Sequence, residues 1–372
     1  MPSKFSRTEN GQEMHFGFTR ILPIPGAKVD DRLRVALASP RPQAYPAGMS
    51  DIAPAIDGLL LLGFGGPTPG CCGRRATCPK TPGCEAECFV AGILGDNPAR
   101  MGRIGEVTHH YQETGGGFSP YHDLTKRQAA ALTAALAQRG MPIPVAMGFR
   151  HWTPWTKDGL MQLQAAGCRK VGLLILAPHQ SSVSWDWYLK HAAEAADAIG
   201  AEAPDLVAVV PPWWTMPGYI SANAAELRVA TAGWSAARLA AAHLIFTAHA
   251  IPQPVETTSP YRQQFVESAR LVAEAFGHPT HSIAFQSQPT DSRVPWSAPT
   301  IESAIDAAHA AGAKDVIVQA IGFLVDHTEV LFDLDVETRE RSTHLGMTYT
   351  RARCVHDHAD FIAGLADAVA SL

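Results

Sequence analysis

The chain has 372 residues, of which 46% are hydrophobic and 17% are charged, and its formal net charge is −5. A chain of this size and composition can bury a sizeable core and is long enough for two domains. Its acidic and basic residues form no long like-charged block, which excludes a nucleic-acid footprint, and no apolar run approaches the length of a transmembrane helix. The first residues also lack the apolar core of a signal peptide, so we expect a cytoplasmic protein.

Residues 1–55 are rich in proline, arginine and aspartate without a helical or strand period, and we predict that they form an extension outside the folded core. From Asp57 onward, short apolar runs alternate with alanine-rich amphipathic stretches, a pattern typical of βα units on a parallel sheet. The predicted strands are residues 58–64, 144–149, 170–177, 206–210, 244–247, 282–285 and 316–321. The predicted helices are residues 125–139, 155–166, 187–199, 260–276, 300–311 and 357–371.

The strands fall into two sets with similar sequences. LLLLGFGG resembles HLIFTAHA, and KVGLLILAPHQS resembles KDVIVQAIGFLVDH. Chance similarity among apolar strands is the alternative, but the pairing predicts an α/β fold made of two doubly wound parallel-sheet halves. We place the halves at residues 56–220, with a cysteine-rich insertion at 70–89, and at residues 221–372. Ligands of such sheets bind beyond the carboxyl ends of the strands.

His249 ends the apolar run LIFTAH, where a strand turns into a loop. A neutral imidazole at such a position can accept a proton near pH 7 or bind a metal such as Fe2+. The alternative is a core histidine bonded to the backbone, and this residue alone does not decide between the two. His151 and His179 also end strands, and each can line the same crevice or form a hydrogen bond within a turn.

Three carboxylates, Glu329, Asp333 and Glu337, recur every four residues and would align on one face of a helix. Like charges at this spacing repel each other. Because the rest of the helix is apolar, we expect this row, called the acidic ladder below, to face an internal channel where a cation or shuttled protons compensate it. A solvated acidic stripe is the alternative interpretation.

Five cysteines crowd into one short segment, in a protein expected in a reducing compartment, which argues against a disulfide framework. Four thiolates can hold a [2Fe-2S] cluster or zinc, and unligated or disulfide-linked thiols are the third possibility. Two adjacent cysteines rarely both reach one iron. The candidate ligands are therefore Cys72, Cys78, Cys84 and Cys88, with Cys71 as the alternative to Cys72.

In chain order, the segments LLLLGFGGP, HHYQETGGGFSP, GFRHWTPW, FTAHAIP and GFLVDHTEVLFDLDVE resemble the successive signatures of the ferrochelatase family, over residues 57–340. The AHxxP segment followed by GFxxDHxEVLxDxDxE is the most specific part. The resemblance implies two flavodoxin-like halves around a porphyrin cleft. It also implies an enzyme of heme biosynthesis, in the lyase class, that inserts Fe2+ into protoporphyrin IX or coproporphyrin III and releases two protons.

The resemblance further implies a role for each matching residue. His249 would bind the incoming metal or accept a pyrrole proton, and Glu329 would be its carboxylate partner. Asp333 and Glu337 would be outer metal- or proton-carrying rungs on a helix with a π-type widening. The porphyrin-binding candidates are Phe64, Ser119, His151 and Phe285.

The cysteine segment resembles that of a bacterial subgroup with an internal cluster, which favours [2Fe-2S] over zinc. The expected partners are a porphyrin and ferrous iron, without nucleic acid; peripheral membrane contact and the oligomeric state stay open. The rival functions are another type II chelatase that loads cobalt or nickel, and a heme-binding or iron-sulfur sensor without turnover.

Overall fold

The structure is a computed structural model that describes residues 56–70, 83–95, 100–289 and 292–372. The predicted N-terminal extension lies outside the described residues, and so do Cys71, Cys72 and Cys78.

Two four-stranded parallel sheets form the framework of the described chain. The first has the order β2-β1-β3-β4 and the second the order β6-β5-β7-β8, so both follow the same connectivity. The predicted α/β fold with two parallel sheets is confirmed. The strands are β1 Gly58–Gly63, β2 Val145–Phe149, β3 Lys170–Ile175, β4 Asp205–Val209, β5 His243–His249, β6 His281–Gln286, β7 Asp315–Gln319 and β8 Thr348–Ala352.

Helices connect the strands and cover the sheets. The α-helices are Cys84–Leu94, Met101–Gly115, Tyr121–Gln138, Thr156–Ala165, Trp187–Ile199, Pro217–Ala230, Ala236–Ala241, Gln253–Thr258, Tyr261–Phe276, Ile301–Ala310, Thr328–Val330, Arg339–His344 and Ala359–Ala370. Two segments, Ser182–Asp186 and Leu331–Thr338, are π-helices. No helix among the described residues has both the length and the apolar character that crossing a bilayer requires.

The central strands of both sheets are buried along almost their whole length. Every residue of β1 is buried, and β5 is buried except at its two terminal histidines. A parallel strand covered on both faces has no polar side, so its sequence is a continuous apolar run. By contrast, the sequence did not reveal β8, because its TYTRA sequence is exposed at Thr348 and only partly buried at Thr350 and Arg351.

One apolar core joins the two sheets and includes Leu61 of β1, Phe246 of β5 and Phe361 of the last helix. The helix Pro217–Ala230 packs against this last helix at close range. A Cβ atom at Gly218 would lie 2.2 Å from the carbonyl oxygen of Asp360, so only glycine fits there. Because this helix packs with the second sheet, we propose that the second unit begins at Pro217, slightly before the predicted boundary.

Candidate active site

His249 is the last residue of β5, and its backbone pairs with Gln286 at the end of β6. The Nδ1 atom of His249 is hydrogen-bonded to the Ala250 carbonyl oxygen. Because a carbonyl oxygen only accepts, Nδ1 carries the hydrogen, and in the neutral ring Nε2 keeps the lone pair. The Tyr261 hydroxyl donates to the His249 carbonyl oxygen at 2.9 Å, which ties this strand end to the helix Tyr261–Phe276.

Glu329 faces the free nitrogen of His249. Its Oε2 atom lies 3.7 Å from the His249 Nε2 atom, and the two side chains are 27% and 36% exposed. The backbone N–H of Glu329 donates to Nδ1 of His327 at 3.2 Å, which caps the start of the Thr328–Val330 helical turn. The pair is thus held from both sides yet stays open to an incoming molecule.

Asp333 is the buried rung of the acidic ladder. Its Oδ2 atom accepts hydrogen bonds from the Ser287 hydroxyl and, at 3.3 Å, from the Gln286 side-chain amide. Burial raises the pKa of Asp333 to about 8, and the charges of Glu329 and Glu337 act in the same direction. Near neutral pH this carboxyl therefore exists in both protonation states, so it can take up and release a proton.

Glu337, the outer rung, is exposed to solvent. Partial burial raises its pKa, and the carboxylates of Glu302, Glu106 and Glu113 raise it further against the lowering effect of Arg103. The sequence interpretation placed the whole ladder in an internal channel. Asp333 is buried, whereas Glu337 is exposed at a rim that two other helices line with carboxylates, and the channel itself stays a prediction.

The ladder lies on a π-helix rather than on a regular α-helix. The segment Leu331–Thr338 is π-helical, as the family resemblance implied, and the Thr338 hydroxyl donates to the Asp333 carbonyl oxygen at 2.6 Å. Segments of π-helix are rare and are frequently found at functional sites. The four-residue spacing by itself indicated a regular α-helix, whereas the family resemblance implied the π-helix that the structure shows.

The end of β1 approaches the same region from the first sheet. The backbone N–H of Phe64 donates to the Tyr121 hydroxyl at 2.9 Å, and the Tyr121 ring lies 5.9 Å from that of His327. The Phe64 ring also lies 4.5 Å from that of His151. Tyr121 thus links the end of β1 to His327, two residues before Glu329, and Phe64 and His151 stay porphyrin-binding predictions.

Two other candidates are, like His151, enclosed by protein. The Ser119 hydroxyl is buried and accepts a hydrogen bond from the backbone of Tyr121 at 3.3 Å. Phe285 is completely buried, and its ring packs 5.5 Å from that of Phe265. A ring with no exposed face cannot stack on a ligand, so we no longer propose Phe285 as a porphyrin contact.

His179 lies in the core between the sheets rather than at the site. It is buried, its Nε2 atom lies 3.1 Å from the Ser268 hydroxyl, and burial lowers its pKa to about 3. The sequence left open a place in the crevice or a hydrogen bond within a turn, whereas the hydrogen bond of this neutral histidine joins it to Ser268 on the distant helix Tyr261–Phe276.

Two aromatic residues that the sequence did not indicate as part of the site lie beside the ladder. Tyr111 is buried, and burial and the charges of Glu329 and Asp333 raise its pKa well above the usual value. Phe332 stacks on His110 with ring centroids 3.6 Å apart. Both contacts come from the helix Met101–Gly115. The sequence of this helix has no feature that indicates its contact with the ladder.

Cys84 and Cys88 lie one turn apart on the helix Cys84–Leu94, and Cys88 is buried. Within the described ranges, no group of three or more histidine, cysteine, aspartate or glutamate side chains is arranged to hold a metal ion. Cys71, Cys72 and Cys78, the other members of the predicted ligand set, are outside those ranges.

With this geometry established, comparisons with known proteins define the family. A family model described as Ferrochelatase matches residues 90–372. A coproporphyrin III ferrochelatase from Propionibacterium freudenreichii subsp. freudenreichii is 32% identical, over 85% of this chain and 87% of the relative. A ferrochelatase from Deinococcus radiodurans is 30% identical, over 84% of this chain and 94% of the relative. The chain belongs to the ferrochelatase family.

Among solved structures, SirB from Bacillus subtilis with Fe3+ is similar to this chain with a TM-score of 0.49 and 9% identity. The similarity covers 84% of this chain and 93% of SirB.

Proposed function

We propose that the chain is a ferrochelatase that inserts Fe2+ into a porphyrin between the carboxyl ends of β1 and β5, in heme biosynthesis. The observation that carries this proposal is the pair formed by His249 and Glu329, with an imidazole nitrogen 3.7 Å from a carboxylate oxygen and both side chains partly exposed. Membership of the ferrochelatase family supports iron insertion as the reaction, and the His249–Glu329 pair supports this site as the place where it occurs.

The chemistry of the pair fits the reaction. A free-base porphyrin must lose two pyrrole protons as Fe2+ binds, and iron needs no change of oxidation state. The lone pair on the His249 Nε2 atom can accept a pyrrole proton, and Glu329 supplies a negative charge beside the imidazolium that results. A site that fits a puckered ring better than a flat one would expose the pyrrole nitrogens and lower the barrier to insertion.

Asp333 and Glu337 extend the pair toward solvent. We propose that they carry protons outward or iron inward along the acidic ladder. A carboxyl with a pKa of about 8, as burial gives Asp333, can exchange a proton at neutral pH without a large free-energy cost. Because divalent cations prefer carboxylate oxygens, the deprotonated ladder is also attractive to ferrous iron.

Coproporphyrin III is the first porphyrin to test, because relatives from Propionibacterium freudenreichii and Mycolicibacterium vanbaalenii are named for it. The other candidate is protoporphyrin IX. A cytoplasmic location and any contact with a membrane surface stay predictions.

The decisive experiment mixes purified protein anaerobically with Fe2+ and either porphyrin, and follows the loss of the free-base spectrum. We expect turnover with iron, and we expect His249→Ala to abolish it. His309→Ala, which removes an exposed histidine on the helix Ile301–Ala310, is the matched control and should keep wild-type rates. Turnover that survives His249→Ala would exclude the proposed site, and a preference for cobalt or nickel over iron would indicate the rival chelatase function.

We also propose that the cysteine segment holds a [2Fe-2S] cluster. The four-residue spacing of Cys84 and Cys88 places both on one face of their helix, which suits two ligands of one metal group. Cys72, or alternatively Cys71, together with Cys78 would supply the others. Iron and acid-labile sulfide in equal amounts, with a paramagnetic signal after reduction, are expected. Stoichiometric zinc in a colourless preparation would exclude the cluster.

A further inference from the structure

Five carboxylates occur between residues 326 and 337, and the structure divides them into two groups. Arg351, on β8, makes ion pairs with two of them, at 2.7 Å to Asp326 and 2.8 Å to Asp335. Glu329, Asp333 and Glu337 make no ion pair with lysine or arginine in the part of the chain that the structure describes. The two neutralised carboxylates are therefore those outside the acidic ladder.

Asp326 is a buried anchor three residues before Glu329. Its carboxylate accepts hydrogen bonds from Arg351 at 2.7 Å, from the His356 Nε2 atom at 2.8 Å and from the Cys354 backbone at 3.2 Å. Burial alone would raise the pKa of Asp326, but the hydrogen bond from His356 and the charge of Arg351 lower it below its usual range overall. Asp326 is thus ionised at working pH, and the start of the ladder is attached to β8.

Asp335 is the second anchor and lies between Asp333 and Glu337 in the sequence. It lies on the π-helix and accepts hydrogen bonds from the Arg351 Nε atom at 2.8 Å and from Arg339 at 3.0 Å. Arg351 therefore connects the loop before Glu329 to the middle of the π-helix. Because π-helices are rare and short, this one needs contacts outside itself to keep its register.

His356, which donates to Asp326, has an unusual backbone conformation that its contacts must hold in place. Its backbone has a φ of 46°, in the left-handed region that residues other than glycine seldom adopt. Its carbonyl oxygen accepts a hydrogen bond from the Gln128 side chain at 2.8 Å, on a helix that follows β1 in sequence. The segment after β8 therefore connects the Asp326 anchor to the first sheet as well.

We propose that Arg351 is a positioning residue, which fixes the direction of the Glu329 carboxylate and the spacing of the acidic ladder by holding Asp326 and Asp335 at once. Arg351 acts through these two residues and touches neither iron nor porphyrin. The inference rests on the proposed iron-inserting function and adds to it a residue on which the ladder depends.

Electrostatics and positioning predict opposite effects of removing this arginine. Loss of a positive charge near the ladder makes the local potential more negative, which by itself would strengthen cation binding and lower the KM for Fe2+. Loss of a two-point anchor lets Glu329 and the π-helix move, which would raise that KM or lower kcat. The sign of the change therefore separates the two explanations.

The experiment compares Arg351→Lys and Arg351→Met with wild type in the anaerobic assay, with iron and porphyrin varied separately. Lysine keeps the charge but lacks the planar fork that reaches two carboxylates. We expect kcat/KM for Fe2+ to fall at least fivefold in Arg351→Lys and at least tenfold in Arg351→Met, while the KM for porphyrin stays within twofold. The pH profile of the Lys variant should also shift, because the ladder carboxylates no longer hold their spacing.

Arg353→Met is the matched control. Arg353 lies two residues further on and makes a bidentate ion pair with buried Glu226, at 2.6 and 3.0 Å, without contact to the ladder. Its loss should lower thermal stability without changing the KM for Fe2+. If Arg351→Met does not fold, Arg351→Lys decides the question.

The proposal is wrong if Arg351→Lys keeps kcat/KM for Fe2+ within twofold of wild type, or if Arg351→Met lowers the KM for Fe2+. It is also wrong if Arg353→Met shows the same iron-specific loss. Absence of turnover in the wild-type protein would instead contradict the proposed function, so the two failures are distinguishable.

Discussion

The Nε2 atom of His249 and the Oε2 atom of Glu329 lie 3.7 Å apart, which is too far for a hydrogen bond and close enough for strong charge attraction. This separation leaves both atoms available to a third group. A pyrrole N–H or a metal ion between them would have a base on one side and an anion on the other.

Glu329→Gln should therefore lose turnover while it keeps porphyrin binding. The amide is the same size but has no charge to stabilise the imidazolium of His249, and we expect kcat to fall by about 10²-fold or more. Porphyrin binding, measured by quenching of tryptophan fluorescence, should change less than threefold. Glu340→Gln, an exposed change just beyond the π-helix, should keep full activity. Equal losses in both variants would contradict a special role for Glu329.

Asp333 should make the apoprotein less stable as the pH rises. Burial raises the pKa of Asp333 to about 8, so between pH 4 and 8 the folded protein keeps a proton that the unfolded chain has released. The contribution of Asp333 to the free energy of unfolding is complete below the pKa that this residue has in the unfolded chain. It is lost as the pH rises from there through 8, with a slope of up to about 1.4 kcal/mol per pH unit. Asp333→Asn should remove this slope in urea unfolding curves measured across that range.

The Asp333→Asn variant also tests whether Asp333 takes part in metal or proton transfer along the acidic ladder. Asp333→Asn cannot release a proton, so the fall in the KM for Fe2+ that we expect in the wild-type protein between pH 6.5 and 8.5 should disappear. An Asn variant with the wild-type pH profile for iron would show that Asp333 takes no part in metal or proton transfer.

Gly322 should tolerate no side chain, because it lies against the strand that carries His249. A Cβ atom at Gly322 would be 2.5 Å from the Cβ atom of Ala248, the neighbour of His249. We expect Gly322→Ala to reduce kcat at least tenfold and to destabilise the protein by about 1–3 kcal/mol. Gly102→Ala, at an exposed helical position with open space around it, should instead stabilise it by up to about 1 kcal/mol. Thermal unfolding and the turnover assay measure both effects.

His179 should affect the pH dependence of stability with the opposite sign to Asp333: it should make the protein less stable as the pH falls. Burial lowers the pKa of His179 to about 3, so it stays neutral in the folded protein when the unfolded chain takes up a proton below pH 6.5. Its contribution to stability is present above pH 6.5 and is lost as the pH falls toward 3. His179→Gln should make the free energy of unfolding less dependent on pH in this window. An unchanged acid slope would show that His179 is protonated in the folded state.

The sequence predicted the parts of the fold that depend on burial alone. The seven strands it indicated are present to within two residues at each end, and one of them ends at His249, because continuous apolar runs mark buried parallel strands. The spacing of Glu329, Asp333 and Glu337 likewise indicated a helix, and all three lie on the consecutive helical segments Thr328–Val330 and Leu331–Thr338. These features are local and repeat along the chain.

Features that depend on distant partners could not be predicted in this way. Arg351 meets Asp326 and Asp335 only once β8 has joined the second sheet, and a TYTRA segment shows no strand period of its own. The burial of Phe285 depends on the helix Tyr261–Phe276, whose Phe265 covers it. The π-helical register of Leu331–Thr338 and the exposure of Glu337 also reflect tertiary surroundings rather than local sequence.

The shared strand order of the two sheets has a consequence for how a flat molecule would be received. Strands β1 and β5 occupy the same place in their sheets, yet one leads into the phenyl ring of Phe64 and the other ends in the imidazole of His249. Strands in equivalent positions therefore end in side chains of different chemistry. A planar guest lying between them would meet hydrocarbon on one side and a proton acceptor on the other, so its two faces would not be interchangeable and protons would leave by a single side.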